Sequence, residues 1–213
     1  MTEDLTERHK VNLDVPYYSQ TEETALSKYG TKACGLTSLR MVLAFYGQTF
    51  NINQMEQLAN RVGAYDENAR WTHAGLVNIA RDAGLMGFRI NYSMLSDEDI
   101  DNACEIFAIE GGVRKEIHEE IDNFRENVEF AREQGDLASI NSLLENQIPI
   151  IASMKKSYAD TADTHLVVIR GRENNNYIIN DPWHNGASYT MPVENFNEQW
   201  TKRAIVIYKK GML

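Results

Sequence analysis

Cys34 is the residue whose type and position most directly predict chemistry. It opens the stretch CGLTSLRMVLAFYG, whose apolar residues recur at helical spacing and end at Gly47. A thiol at a helix N-terminus ionises more readily, because unpaired N–H groups and the helix dipole favour negative charge there. Gly35 follows, and we interpret it as leaving room for a substrate backbone. The stretch predicts a nucleophile, with a small buried cysteine as the alternative.

A base and a carboxylate that could orient it stand at the ends of two predicted strands. His165 begins the apolar run HLVVIRGR, and Asp181 ends the run YIINDP, where Pro182 keeps Asp181 extended. If the two runs pair as a hairpin about the ENNN turn, His165 lies opposite Pro182, within a residue or so. This pairing predicts a contact between the imidazole and the Asp181 carboxylate. Cysteine, histidine and carboxylate together are the groups of a nucleophilic triad.

A triad that attacks an amide also needs hydrogen-bond donors for the oxyanion. Gln20 ends the extended segment LDVPYYSQ, and a short loop separates it from the predicted Cys34 helix. The Gln20 side-chain amide and the backbone N–H of Cys34 are the predicted donors. The alternative for a single glutamine in a loop is that water solvates it.

Two kinds of pattern divide the chain and predict its fold class. Helical spacing dominates the first two-thirds, and alternating or β-branched runs dominate the last third. Helices are predicted over 33–47, 51–64, 71–85 and 136–147, with Asn53 as the cap of the second and Thr72 as the cap of the third. Strands are predicted over 88–92, 148–154, 164–172, 176–182 and 204–210. This order predicts an α+β fold, with a helical half packed against an antiparallel sheet.

Residues 96–135 have a pattern of their own. Ser96 is a predicted helix cap, and a highly charged stretch then carries one apolar stripe, formed by Val113, Ile117, Ile121, Phe124, Val128 and Ala131. We interpret 96–135 as a helical insertion within a single domain that spans 1–213. The stripe predicts core packing, with a homo-oligomer through the 113–134 helix as the alternative. Cys104, in the same region, is expected to be a core thiol.

Composition excludes several classes of protein. The chain has 213 residues, 43% of them hydrophobic, with a net charge of −10 and two cysteines. Such an acidic chain repels phosphate backbones and anionic lipids, so neither nucleic acid nor membrane insertion is expected. The cysteines exclude a disulfide framework, and no group has metal-ligand spacing, so we expect no metal and no cofactor. Without an apolar signal core the expected location is the cytoplasm, or outside the cell if the chain was processed.

Four motifs occur in the order typical of one known family. VPYYSQ, ACGLTSLRMVLAFYG, HLVVIRG and YIINDPW resemble the C39-like cysteine peptidases, relatives of the bacteriocin-leader peptidases within the papain-like superfamily. The later stretch PVENFNEQWTKRAIVI resembles the end of such domains. The resemblance covers 13–92 and 136–208, and 96–135 has no place in the family pattern.

The resemblance implies both a fold and a set of roles. The implied fold is papain-like, with the Cys helix packed on the antiparallel sheet that carries the histidine and the aspartate. The implied roles are nucleophile for Cys34, base for His165, orienting carboxylate for Asp181 and oxyanion donor for Gln20.

The expected function is hydrolysis of a peptide or peptide-like amide by a soluble cysteine peptidase, through a thioester acyl-enzyme. Two alternatives stay open. An acyltransferase or transpeptidase of the same fold would pass the acyl group to an amine or thiol instead of water. A catalytically inactive papain-like binding module would keep the fold, with the insertion covering the cleft.

Overall fold

The computed structural model of the chain describes residues 10–23, 32–65, 71–155, 164–183 and 188–213, except for the side chains of 22 and 23. The described part contains eight helices and seven strands. In chain order they are β1 (Val11–Asn12), α1 (Gln20–Glu23), α2 (Cys34–Phe45), α3 (Ile52–Val62), α4 (His73–Asp82), β2 (Met86–Asn91), α5 (Asp97–Gly111), α6 (Ile117–Gln134), α7 (Asp136–Glu145), β3 (Ile150–Lys155), β4 (Thr164–Glu173), β5 (Asn176–Asn180), β6 (Tyr189–Pro192), α8 (Val193–Gln199) and β7 (Trp200–Tyr208).

The seven strands form one antiparallel sheet. Its order is β2–β7–β3–β4–β5–β6, and β1 pairs with the C-terminal end of β4. The α+β class predicted from the sequence is therefore confirmed. The predicted hairpin is also present: β4 pairs with β5, Val168 stands opposite Asn180, and a register shift falls between Ile169 and Gly171. This pairing directs the start of β4 and the end of β5 to the same end of the sheet.

Local capping explains where three of the helices begin. Thr72 caps α4 and Ser96 caps α5, each through a side-chain oxygen that accepts from a backbone N–H, as the sequence predicts. The prediction of Asn53 as the cap of α3 is wrong. Asn51 caps that helix, and Gln54 completes a capping box with it, since each side chain accepts from the other's backbone N–H.

Helix α2 lies in the core, and a hydrogen bond near each of its ends connects it to the sheet. Every residue from Gly35 to Leu43 is buried, so the helix has no polar face along this part. Near its start, Ser38 Oγ donates to the carbonyl of Leu166 on β4 at 3.0 Å. Just past its end, the Tyr46 hydroxyl donates to the carbonyl of Ile207 on β7 at 2.9 Å. These two bonds fix the position of α2 on the sheet and its rotation about its own axis.

Residues 96–135 form two helices, α5 and α6, that pack on the rest of the chain. Most of the predicted apolar stripe is buried, namely Ile117, Phe124, Val128 and Ala131. The core-packing prediction is therefore confirmed for these residues, whereas Val113 precedes α6 and is fully exposed. A homo-oligomer through the 113–134 helix stays a prediction, and it would have to use side chains outside this buried stripe. Cys104 is buried, as expected.

A buried ion pair attaches α6 to α4 and β2. The Glu120 carboxylate has no solvent exposure; it accepts from Arg81 at 2.6 Å, and from Arg114 and the backbone N–H of Gly87 at 3.3 Å each. Both carboxylate oxygens have donors, which is the condition under which a buried charge is tolerated. The contact therefore specifies where the helices of 96–135 sit on the sheet.

Four short elements were not predicted from the sequence: β1, α1, β6 and α8. Strand β6 alternates between half-buried and exposed residues, and α8 is a seven-residue helix in which only Phe196 is buried. Neither carries enough apolar residues to produce a periodic signal. Among the described residues, no helix combines the length and the apolar character needed to cross a bilayer.

The bond from Ser38 to Leu166 leads to a test of how α2 is held. We expect Ser38→Ala to lower the free energy of unfolding by roughly 1–3 kcal/mol, because it removes a buried donor from a carbonyl beside His165. Urea denaturation measures the change. Ser93→Ala, at an exposed turn position, is the control and should shift stability by less than about 0.5 kcal/mol. Equal effects of the two substitutions would contradict this account.

Candidate active site

The structure places Cys34 at the first position of α2, half-buried at the edge of the core. The preceding residue, Ala33, is the N-cap and supplies no side-chain hydrogen bond to the helix. The N–H groups of the first turn are therefore not capped from that position, and they remain suited to stabilising negative charge near the helix start.

His165 and Asp181 meet across the end of the β4–β5 hairpin. His165 Nε2 lies 2.6 Å from Asp181 Oδ1, and the two side chains are 16% and 17% exposed. The same Oδ1 accepts from the backbone N–H of Trp183 at 2.9 Å, which closes a tight turn around Pro182 and fixes the carboxylate. The contact between imidazole and carboxylate that the sequence predicts is thus present in the structure.

The thiol of Cys34 is the second hydrogen-bond partner of the His165 imidazole. Because Nε2 faces Asp181, Nδ1 is the ring nitrogen that remains for the sulfur. Burial by itself would lower the pKa of His165. The hydrogen bonds with Asp181 and Cys34, and the negative charges of both partners, outweigh burial and raise the pKa from its usual 6.5 to about 9. At neutral pH the geometry therefore favours an imidazolium held between two acidic groups.

Gln20 is buried at the start of α1, with only 1% of its surface exposed. Its backbone N–H donates to the carbonyl of Pro182 at 2.9 Å, so the residue is attached to the segment that directly follows Asp181. The alternative of a solvated loop glutamine does not agree with this burial. The structure thus brings Cys34, His165 and Asp181 into contact in series and anchors Gln20 beside the last of them.

Gly35 has a different role from the one the sequence suggests. A Cβ at this position would lie 3.1–3.2 Å from side-chain carbons of Leu166, Leu76 and Trp71. Glycine therefore permits the close packing of α2 against β4 and α4, because a Cβ here would force its neighbours to shift by a few tenths of an ångström. The interpretation that Gly35 leaves room for a substrate backbone is wrong, because that space is filled by the protein itself.

The sequence patterns did not predict a role for two polar residues of this region. Asn180 directly precedes Asp181 and is fully buried, and Ser38 is fully buried one turn along α2 from Cys34. The available signal was a polar residue inside an otherwise apolar run, in YIIN and in GLTSLRMV. Such a residue must find a hydrogen-bond partner inside the protein, so its presence predicts a specific contact without naming the partner.

No second centre of this kind occurs in the part of the chain that the structure describes. The other thiol, Cys104, is buried within α5, and burial raises its pKa, so the thiolate is disfavoured there. Across the described ranges, no three His, Cys, Asp or Glu side chains cluster closely enough to hold a metal ion.

The family follows from the match of the whole sequence. The model of the Peptidase_C39 like family matches residues 12–206. The chain belongs to this family. The resemblance of the four motifs is thereby confirmed, and the matched range includes residues 96–135. That these residues are an insertion stays a prediction.

Solved structures of C39 peptidases share the fold of this chain. A Bacillus anthracis protein assigned to the C39-like peptidases has a TM-score of 0.57 and 16% identity, covering 94% of this chain and 98% of that one. A double glycine motif protease from an AMS/PCAT transporter, solved in complex with the leader peptide, has a TM-score of 0.52 and 19% identity over the same shares. The papain-like fold predicted from the sequence is confirmed by these likenesses. No curated protein sequence matches the chain.

The raised pKa of His165 leads to a test by NMR titration. In the unaltered chain the imidazole should lose its proton near pH 9. In Cys34→Ala the midpoint should move to lower pH, because the thiol contributes both a hydrogen bond and a charge that favour the imidazolium. His165→Gln assigns the resonance. An unmoved His165 midpoint would contradict the contact between imidazole and sulfur.

Proposed function

We propose that the chain is a cysteine peptidase that hydrolyses a peptide or peptide-like amide, with Cys34 as nucleophile, His165 as base and acid, Asp181 as orienting carboxylate and Gln20 as oxyanion donor. The observation that carries the proposal is the position of the His165 imidazole, hydrogen-bonded to the Asp181 carboxylate and to a thiol at a helix N-terminus. This is the relation of nucleophile, base and orienting group that defines a nucleophilic triad.

The reaction begins with the Cys34 thiolate and the His165 imidazolium. The sulfur attacks the amide carbonyl carbon, and the oxyanion that forms accepts hydrogen bonds from the Gln20 side-chain amide and the Cys34 backbone N–H. The imidazolium then gives its proton to the leaving nitrogen, the carbon–nitrogen bond breaks, and a thioester remains on Cys34. Neutral His165 next takes a proton from water, whose oxygen attacks the thioester and releases the carboxylic acid and the thiolate.

Asp181 has two tasks in this scheme. Its Oδ1, 2.6 Å from Nε2, holds the ring so that Nδ1 faces the sulfur, and its charge stabilises the imidazolium. The Trp183 N–H bound to the same oxygen keeps the carboxylate from turning away when the histidine is neutral.

The substrate class is argued from a relative of the same fold. The double glycine motif protease from an AMS/PCAT transporter was solved in complex with a leader peptide. At 19% identity that likeness carries the fold alone, so a peptide substrate for this chain is part of the proposal. Transfer of the acyl group to an amine or thiol uses the same acyl-enzyme and differs only in what attacks it.

Digestion of a peptide library tests the proposed chemistry and its substrate class together. The unaltered chain should release new N-termini, and Cys34→Ala should abolish their release with no loss of fold. Cys104→Ala is the matched control, since it removes the other thiol away from the site. Mass spectrometry with an added amine separates hydrolysis from transfer. Alkylation of Cys34 by iodoacetamide no faster than that of Cys104 at neutral pH would contradict the proposal.

The proposed role of Gln20 is tested by Gln20→Ala on a peptide found in that screen. If its amide faces the oxyanion, kcat should fall by an amount equivalent to about 2.7–4 kcal/mol of transition-state stabilisation, with little change in KM. The rate of Cys34 alkylation by iodoacetamide is the control measurement, because that displacement forms no oxyanion. An unchanged kcat would leave the oxyanion to backbone donors and remove Gln20 from the mechanism.

A further inference from the structure

Asn180 is the last residue of β5, directly before Asp181, and its side chain is completely enclosed. Its Nδ2 donates to the carbonyl of Val15 at 3.0 Å. Its Oδ1 accepts from Arg170 Nε at 3.0 Å and from the Ser188 hydroxyl. A buried amide with partners at both ends is held in one orientation, and each contact is stronger than it would be in water.

Arg170 extends this network to the strand that carries His165. It lies on β4, and its Nη1 donates to the carbonyl of Leu13 at 3.1 Å and to the Asn12 side chain. In the other direction, the Leu13 N–H donates to the Arg170 carbonyl at 2.8 Å. Side chains and backbone thus join three separate parts of the chain, which are β4, β5 and the segment 12–15.

The segment 13–20 leads from this network to the proposed oxyanion donor. At its far end, the backbone N–H of Gln20 donates to the carbonyl of Pro182 at 2.9 Å. The segment is therefore attached on both sides of Asp181: Val15 to Asn180 before it, and Gln20 to Pro182 after it. Along the way Tyr18 packs under Arg40 of α2, with the guanidinium carbon 3.8 Å from the ring centroid.

We propose that Asn180 is a positioning residue, whose buried amide holds the segment of Gln20 and the strand of Asp181 as one unit, so that the oxyanion donor and the orienting carboxylate keep a fixed separation. The inference rests on the proposed function, since it assigns Asn180 a role in the same reaction. Asn180 acts through these two residues and does not itself touch the reacting atoms.

The chemistry of an amide suits this position better than that of any other side chain of its size. The Val15 carbonyl requires a donor, whereas Arg170 and Ser188 require an acceptor, and an amide supplies both without charge. A carboxylate would keep the acceptor and lose the donor. Without the bond from Asn180 to Val15, the backbone bonds of Leu13 to Arg170 and of Gln20 to Pro182 still hold the two ends of the segment, but its middle can shift. A displacement of about 1 Å near reacting atoms can cost on the order of a hundredfold in rate.

The test compares three variants of the full chain. Asn180→Ala removes every contact of the side chain. Asn180→Asp keeps the acceptor for Arg170 and Ser188, loses the donation to Val15 and adds a carboxyl group beside Arg170. Asn123→Ala is the matched control. Asn123 lies on α6, is also a buried amide, and donates to the Tyr208 hydroxyl at 3.0 Å. For each protein, kcat and KM are measured on the library-derived peptide, the alkylation rate of Cys34 by iodoacetamide is measured against pH, and thermal unfolding gives the folded fraction.

Asn180→Ala should lower kcat roughly 10- to 100-fold with little change in KM. It should also slow Cys34 alkylation at about pH 6, where an unassisted thiol is protonated, because a loosened Asp181 supports the imidazolium less well. Asn180→Asp should lower kcat but nearly retain the alkylation rate, since alkylation needs no oxyanion donor. Asn123→Ala should change neither rate once the folded fraction is taken into account.

Two results overturn the inference: an unchanged kcat in the folded Asn180 variants, or equal losses in Asn180→Ala and Asn123→Ala. If Asn180→Ala does not fold, the kcat of Asn180→Asp tests the inference instead. If the unaltered chain cleaves no peptide, the proposed function fails, and the alkylation profile still decides the role of Asn180. In that case, either of two results overturns the inference. One is an unchanged rate of Cys34 alkylation at about pH 6 in Asn180→Ala. The other is that Cys34 of Asn180→Asp is alkylated with the pH dependence of an unassisted thiol.

Discussion

The contact between His165 and Asp181 is the interaction on which the candidate site depends, and the register of the sheet decides it. The residues belong to neighbouring strands, and the buried pairs Val168–Asn180 and Ile169–Ile179 fix how those strands align. A slip of one residue would turn every side chain of β5 to the opposite face, and because both faces are buried there, it would disrupt the packing of each one. Packing of the hairpin interior therefore also places a carboxylate within 2.6 Å of an imidazole at the hairpin's end.

The sulfur reaches the same place through an independent constraint, the burial of α2. A helix buried along its first turns cannot slide or rotate without breaking core contacts, and Gly35 and Ser38 both lie in this part. Gly35 permits close approach to β4, and Ser38 is bonded to the carbonyl of the residue after His165. The distance from thiol to imidazole is thus a property of how the helix packs on the sheet.

The sequence was informative where a signal is local, and uninformative where a residue's partners are distant. The β4–β5 hairpin, the caps Thr72 and Ser96 and the apolar character of the Cys34 helix all follow from neighbours along the chain. The Asn51 cap also has a local signal, because Gln54 stands three residues later and completes its capping box, and the prediction of Asn53 misses that pairing. In contrast, Asn180 is explained by Val15 and Arg170, which are remote in sequence, so no window of the chain contains the reason for an amide there.

The protonation state of the site is likewise a product of the fold. Burial alone would leave His165 neutral; only the added contacts with Asp181 and Cys34 bring its pKa to about 9, above the 6.5 of the unfolded chain. The resulting stabilisation is fully present below about pH 6.5 and is lost as pH rises through 9. Enclosing three ionisable groups costs solvation energy, and apolar side chains of similar volume would hold the fold at least as well. A pKa that specific partners shift this strongly is typical of catalytic sites, and this observation supports the proposed catalysis over binding alone.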